Sequence, residues 1–333
     1  MKAFTLNRYD KNEKLHLTDV AEPIVKENDV LIEIHAAGLN LLDSKIKTGE
    51  FKLILPYKLP LILGHDVAGI VIKIGSKVTK FKVGDEVYSR PSDFRIGTFA
   101  EFIAIDQEDV AHKPKNISME EAASIPLVAL TVWQALVENA KLRKGQKVFI
   151  QAGSGGVGTT AIQLAKHLGA TVATTASENS FDLLRRLGAD VLIDYKKQDF
   201  EQVLKEYDVV LNSQDKNTLE KSLRVVKPNG KVISISGPPT PEFGRAIKAP
   251  WFVKIILSLI SSGIRKKAKK ANVRYSFLFM RAAGKQLQEI TELIESGSIK
   301  PVIDKVFPFD KTNDALAYVE SGRSKGKVVV TMK

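Results

Sequence analysis

Hydrophobic and polar positions alternate over short distances through the first 120 or so residues. Val30–Ala36, Val67–Ile74, Glu86–Ser89 and Phe99–Ile105 read as strands, and Gly75, Gly84 and Gly97 break them. Short strands at this spacing predict an all-β barrel or sandwich. Near Ser118 the period changes. Lys147–Gln151 predicts a strand, and Val157–Leu168 a helix with Ala161, Leu164, Ala165 and Leu168 on one side. A strand at Thr171–Thr175 and a helix at Phe181–Leu187 follow. Short buried strands are expected at Val191–Ile193, Val209–Leu211, Val232–Ser236 and 276–280. Alternating β and α segments predict a doubly wound parallel sheet. A helix at Leu287–Glu295 and strands at Pro301–Val306 and Lys327–Thr331 close the chain, and the last strands are expected to return to the first domain.

Composition narrows the class. An apolar share of 44% and a charged share of 26% suit a water-soluble protein with a packed core. Without any cysteine, disulfides, thiolate metal sites and cysteine nucleophiles are excluded together. That fits a reducing compartment, and a cytoplasmic location is expected. The formal charge of +12 favours anionic partners, including a phosphorylated cofactor. The N-terminal MKAFTLNRYD alternates like a strand and has no signal-peptide core. The most apolar stretch, Trp251 to Ile264, holds Lys254 and three serines, too polar and short to span a bilayer.

The strand KVFIQA runs into Gly153-Ser154-Gly155-Gly156-Val157-Gly158, which then opens the helix VGTTAIQLAKHLG. G-x-G-x-x-G between a strand and a helix is a dinucleotide fingerprint. Gly153 serves the tight turn, Gly155 lets backbone approach a pyrophosphate, and Gly158 lets the helix pack on the strand. The N–H groups opening the helix, at Gly156 and Val157, face the phosphates with the positive dipole end. The following strand ends at Thr175-Ala176-Ser177, where NAD sites place a carboxylate. A hydroxyl at Thr175 does not repel a 2′-phosphate, so NADPH is expected, although Glu178 could serve an NAD role.

With these landmarks in place, nearly the whole chain resembles the medium-chain dehydrogenase/reductase superfamily, in its branch of zinc-free quinone oxidoreductases and NADPH-dependent alkenal/enone reductases. AAGLNLLDSKIKTG (36–49), LILGHDVAG (61–69), GTFAEF (97–102), the glycine loop within 152–170 and GKVVV (326–330) carry the resemblance. It implies a GroES-like β-barrel catalytic domain, 1–122 with 283–333, and a Rossmann cofactor domain, 123–282, with the active site in the cleft between. It also implies that Thr131 contacts the nicotinamide side, Ser177 and Tyr195 the adenosine side, and Gly237 and Phe279 the nicotinamide pocket. Lys327 approaches from the last strand. Tyr195 could equally be a core aromatic.

Zinc-dependent relatives hold their catalytic metal at the places of Asn40, His65 and Leu127, and relay protons at the place of Leu42. Two of the three ligand positions therefore lack a donor for zinc, and no other histidine is spaced to help. No metal is expected. His65 is read first as a structural residue hydrogen-bonded near the cleft, and second as a catalytic acid. A conjugated acceptor needs no Lewis acid, because hydride addition leaves a delocalised oxyanion that a hydrogen-bond donor can stabilise. Asn40 is the first candidate donor, to a substrate carbonyl or to the nicotinamide ribose, with a turn-stabilising role as its alternative. Asp43 is expected to order that loop. Lys45, Tyr57 and Tyr88 are candidate proton donors beside solvent.

The reading is thus a zinc-independent NADPH-dependent reductase of quinones or α,β-unsaturated carbonyls, expected as a homodimer. The rival is a low-turnover NADPH-binding protein acting as a membrane- or RNA-associated factor. One segment departs from the compact quinone reductases. Over about 245–274, Trp251, Ile255, Leu259 and Ile260 share one helical side, followed by a basic cluster from Arg265 to Arg274. A flap over the cleft or a subunit interface is the first reading. A weak membrane-surface contact through 251–270 is the second, and no specific nucleic-acid partner is expected.

Overall fold

Asp29–Leu39 is the longest strand because its eleven residues are nearly all buried and unbroken by proline. It organises the first of two units in the computed structural model, which describes residues 1–332. In chain order the elements are β1 (Lys2–Leu6), β2 (His16–Asp19), β3 (Asp29–Leu39), α1 (Leu41–Lys47), β4 (Leu61–Ile62) and β5 (Asp66–Ile74). Then come β6 (Glu86–Ser89), β7 (Phe102–Asp106), β8 (Val110–His112), α2 (Met119–Ala123) and α3 (Pro126–Trp133). Next are β9 (Lys147–Ile150), α4 (Gly156–His167), β10 (Thr171–Ala176), α5 (Phe181–Arg186), β11 (Val191–Asp194), α6 (Phe200–Val203) and β12 (Tyr207–Asn212). They are followed by α7 (Lys216–Val225), β13 (Val226–Ser234), α8 (Pro241–Ala246), α9 (Trp251–Lys270) and β14 (Arg274–Phe277). The chain ends with α10 (Gly284–Glu295), β15 (Ile303–Pro308), α11 (Thr312–Glu320) and β16 (Lys327–Thr331).

One unit comprises Met1–Leu130 with the chain from Arg281 onward, and the other Thr131–Met280. In the first, β3 pairs with β5 along one edge, and with β7 and then β16 along the other. β1 pairs instead with β2 and β4, in a separate three-stranded sheet. The strands therefore divide between two sheets instead of closing one continuous ladder, and an isolated bridge from Ala3 to Ala100 spans them. Register shifts in the β3–β5 pair bend the long strand where the sheet turns. Val30, Ile32, Ile34, Val67, Val87 and Ile105 fill the interior. The strand expected from Phe99 begins only at Phe102, since Phe99 and Ala100 are spent on the crossing between sheets.

The second unit is an all-parallel six-stranded sheet in the order β11-β10-β9-β12-β13-β14. Phe149, Ile193, Phe200, Val210, Leu223 and Val232 are central to its core. The chain moves outward from β9 to β11, then crosses back to β12, so the switch in direction falls between β9 and β12. Parallel strands all end at one edge, and ligands bind outside such an edge at the switch. β14 occupies 274–277 and not 276–280, and Phe277 opposite Ser234 is its last residue in register with β13.

Candidate active site

At the glycine loop the backbone states which glycine is needed for what. Ala152 takes a left-handed φ of 51°, and its N–H donates to Thr175 Oγ1 at 3.2 Å. A Cβ on Gly153 would lie 2.1 Å from Thr174 Oγ1, and one on Gly158 2.3 Å from the Ala152 carbonyl. Both glycines are therefore required by packing within the protein. Gly155 is different: the nearest atom to its Cβ position would be the Ala152 carbonyl at 3.6 Å, so this flank of the loop is open. Gly155 is also the N-cap of the twelve-residue α4, with no side chain capping it. The first-turn N–H groups of Gly156, Val157 and Gly158 lack intrahelical partners, as at every helix start. An open backbone surface beside a helix N-terminus fits a pyrophosphate.

Apart from Thr131, the other cofactor candidates of this unit lie at or beyond the ends of the parallel strands. Thr175 is buried near the end of β10, and Ser177 follows that strand. Tyr195 stands just past β11 and is 62% exposed, so it is a surface ring and not a core aromatic. Gly237 and Phe279 follow β13 and β14, and Phe279 packs on Phe243 with ring centroids 5.6 Å apart. Thr131 is buried in α3. Glu178, the carboxylate that could have marked an NAD site, is paired with Lys197 at 2.5 Å.

A buried polar chain that sequence reasoning missed braces this edge. Gln151 donates to Ser222 Oγ (2.7 Å) and accepts from Asn212 Nδ2 (2.6 Å). Ser234 Oγ donates to Asn212 Oδ1 (2.5 Å) and accepts from the Gly237 N–H (2.8 Å). These side chains lock together the ends of β9, β12 and β13. The only signal for them was a polar residue closing each of three apolar strands.

In the other unit, α1 starts at Asn40 because the Asp43 carboxylate accepts from the Asn40 N–H at 2.8 Å, which fixes the loop as expected for Asp43. The other Asp43 oxygen pairs with His65 Nδ1 at 2.6 Å. Next to it, Asp66 accepts from the Leu127 N–H (2.6 Å), Asn40 Nδ2 (2.9 Å) and Lys327 Nζ (3.0 Å). Lys327 also donates to Asn40 Oδ1 (2.6 Å) and to the Leu39 carbonyl (2.9 Å). Its three N–H bonds are thus all committed, and the ion pair with Asp66 is sealed from water and fully bonded. Asn40, His65 and Lys327, far apart in sequence, meet here with Asp43 and Asp66. Gly64 makes the approach possible, with φ of 108° and no room for a Cβ beside Thr98 and Phe99.

The candidate donors differ in what they have left to give. The second Asn40 amide hydrogen goes to the Gly38 carbonyl at 3.4 Å, a weak bond that a ligand oxygen can replace. His65 is wholly buried, with Nε2 enclosed and unpartnered. Tyr57 stands within electrostatic reach of Asp43 and donates to the Asp93 carbonyl. Burial first, and then the Asp93 charge, push its hydroxyl well above the ordinary tyrosine value. Tyr88 is fully buried with its hydroxyl on the Leu287 carbonyl at 2.7 Å, which removes it as a proton donor to a ligand. Lys45 pairs loosely with Glu50 at 3.8 Å.

The family model described as zinc-binding dehydrogenase matches residues 187–330, and the alcohol dehydrogenase GroES-like domain matches 26–115. The 2-methylene-furan-3-one reductase of Solanum lycopersicum is 39% identical over 343 residues, covering 99% of this chain and 79% of its own. The chloroplastic NADPH-dependent alkenal/one oxidoreductase of Arabidopsis thaliana is 37% identical, with 99% and 79% covered. The structure of the quinone oxidoreductase from Coxiella burnetii superposes with a TM-score of 0.87 at 29% identity, covering 100% of this chain and 99% of that one. The chain belongs to the medium-chain dehydrogenase/reductase superfamily, in its zinc-free quinone and alkenal reductase branch. It has that family's GroES-like domain and Rossmann-like parallel sheet, and it is an oxidoreductase that uses a nicotinamide dinucleotide.

The zinc named by the first family model does not fit these residues. Among the described residues no three His, Cys, Asp or Glu side chains converge as a metal site requires. Asn40 and Leu127 stand where two of the ligands would be, which leaves His65 as the one remaining donor of the three.

Proposed function

We propose that the protein is an NADPH-dependent reductase of quinones or α,β-unsaturated carbonyls that works without zinc. The observation carrying this reading is the open flank at Gly155 on the N-terminus of α4, together with the absence of a free carboxylate at the end of β10. Gly155, Gly156, Val157 and Gly158 would hold the pyrophosphate by backbone N–H groups. Thr175 and Ser177 would face the adenosine ribose, with Tyr195 as a flat surface for the base. Lys197 offsets part of the charge of the exposed Glu178, which favours a 2′-phosphate in this region. Thr131, Gly237 and Phe279 are assigned to the nicotinamide end, and the Gln151–Asn212–Ser234 chain orients Gly237.

When bound, the reduced nicotinamide supplies a hydride. On the acceptor side Asn40 gives its weakly bonded amide hydrogen to the carbonyl oxygen in place of Gly38 and stabilises the enolate or hydroquinone anion that hydride addition leaves there. Lys327 and Asp66 fix the Asn40 amide plane, and His65 positions Asp43. Solvent is assigned as the proton source for the product, since the Tyr57 hydroxyl is already given to the Asp93 carbonyl and His65 has no exposed atom. The relatives' names supply the acceptor classes and give no support to the low-turnover rival. A homodimer fits the outer edge of β14, which pairs with no further strand among the described residues.

The test is NADPH oxidation at 340 nm against a quinone panel and an enal/enone panel. Turnover with at least one panel is expected, with NADPH preferred to NADH. Tight NADPH binding with no turnover on either panel would overturn the reading. Lys197→Ala frees the Glu178 carboxylate and is expected to raise the KM for NADPH several-fold, leaving NADH nearly unchanged.

A further inference from the structure

Helix α9 does the reverse of what its apolar stripe predicts. It packs on the second unit through Leu257, Ser261, Ile264 and Ala268, spaced as one helical face. The large apolar residues of its first half point away. Trp251 is 73% exposed and Leu259 68%, and Phe252, Ile255, Ile256 and Ile260 are each about half exposed. Together they bare roughly 600 Å² of side chain, at or above the largest patch an ordinary soluble monomer shows. Phe252, Ile255 and Leu259 continue along the same outward stripe into Lys266 and Lys270. One stripe is thus apolar at its start and cationic at its end.

Charge decides what this stripe faces. From Phe243 to Gln288 the sequence contains eleven Lys and Arg and no Asp or Glu. Lys266, Lys269 and Lys270 have no acidic partner among the described residues, and only Lys267 is paired, with Glu220 at 2.6 Å. Beneath the basic end, Arg265, Lys269, Arg274, Asn229 and Tyr275 line a cavity of about 300 Å³. The Arg265 Nε there is enclosed without a partner. A second copy would bring the same unopposed positive charge onto itself. A nucleic acid would leave six large apolar side chains in water.

We propose that α9 docks the protein on an anionic phospholipid surface. Trp251, Phe252, Ile255 and Leu259 enter the headgroup–acyl boundary, Lys266 and Lys270 lie against phosphates, and the cavity under Arg265 seats one headgroup. The proposal is independent of the reductase reading. No described helix is long and apolar enough to cross the membrane, so the contact is peripheral.

The test is flotation of the full chain with vesicles of phosphatidylcholine alone, or of phosphatidylcholine with roughly a third phosphatidylserine. The wild type is expected on the anionic vesicles only, with binding that weakens as salt rises. Lys266→Gln/Lys270→Gln is expected to bind roughly thirtyfold more weakly, taking each lysine as one step of about five- to sixfold. Phe252→Ser/Leu259→Ser is expected to lose binding with its thermal unfolding unchanged, because both side chains are exposed. Equal flotation of wild type and both variants would overturn the proposal. So would a fall in sedimentation mass of the Phe252→Ser/Leu259→Ser variant, which would place a second copy on the stripe. Binding to a single-stranded oligonucleotide but to neither vesicle would also overturn it.

Discussion

Replacing Gly155 by alanine separates folding from cofactor binding. Gly155 has φ −79° and ψ 170°, a conformation that alanine adopts freely. Its Cβ would meet nothing nearer than the Ala152 carbonyl at 3.6 Å, an ordinary contact. Stability should therefore hold or rise by about 0.4–1 kcal/mol, through the smaller entropy of the unfolded chain. In the complex, however, the new methyl occupies the flank assigned to the pyrophosphate. Losing one charge-assisted bond from a backbone N–H is worth about 1.5–3 kcal/mol, or roughly 10- to 150-fold in Kd. Gly158→Ala is the contrast. Its Cβ would sit 2.3 Å from one backbone atom and 2.6 Å from another, so the loop must move, at about 1–3 kcal/mol. Calorimetric titration with NADPH and thermal melts of the three proteins provide the measurement. Unchanged affinity in Gly155→Ala would show that the phosphates do not lie on that flank, and the cofactor assignment would fall with it. Gly155→Asp, which adds a carboxylate at the same place, should abolish binding.

The buried polar cluster yields a second prediction: Lys327→Met leaves Asp66 with two of its three donors and an uncancelled buried charge, costing about 3–5 kcal/mol by urea unfolding. A loss below about 1 kcal/mol would mean that the ion pair is not sealed from solvent. Asn40→Ala should lower kcat with enones about 100-fold, with NADPH affinity less affected, and an unaltered kcat would remove Asn40 from the chemistry. In acid, Asp29 is the group to follow. Burial alone would raise its carboxyl, but the Arg95 fork (2.6 and 2.8 Å) and the Lys26 N–H outweigh it and hold it below the ordinary value. A depressed folded-state pKa contributes stability above the unfolded value of about 4 and loses it as pH falls through the folded one. The urea midpoint of Asp29→Asn should accordingly fall less than that of the wild type below about pH 4, and parallel curves would contradict this. Prolonged EDTA treatment should leave turnover unchanged, and loss restored by Zn²⁺ would reverse the metal argument.

Both units were legible from local pattern where the physics is local. A strand ending in a glycine loop and opening a helix carries its own turn, dipole and spacing, and β9, α4 and β10 fall within a residue or two of their expected bounds. The short strands of the first unit were equally readable, because alternation and glycine breaks act over a few residues. Long-range matters were decided by packing. Asp66, Asn40 and Lys327 come together only because β3, β5 and β16 are neighbours, and nothing near Lys327 in sequence announces a buried ammonium. Gln151, Asn212 and Ser234 meet only because parallel strands end at one edge of a sheet. The outward stripe of α9 shows the limit most plainly. Periodicity reveals that a helix has an apolar side, but which side finds a core depends on what stands next to it. Here the face of Leu257, Ser261, Ile264 and Ala268 finds the core, and Trp251, Phe252, Ile255 and Leu259 are left outside. Segment by segment, the chain determined its elements and its glycine loop. Tertiary structure alone decided which polar groups were sealed together and which apolar ones were left in water, because burial belongs to the assembled surface and not to any single stretch of chain.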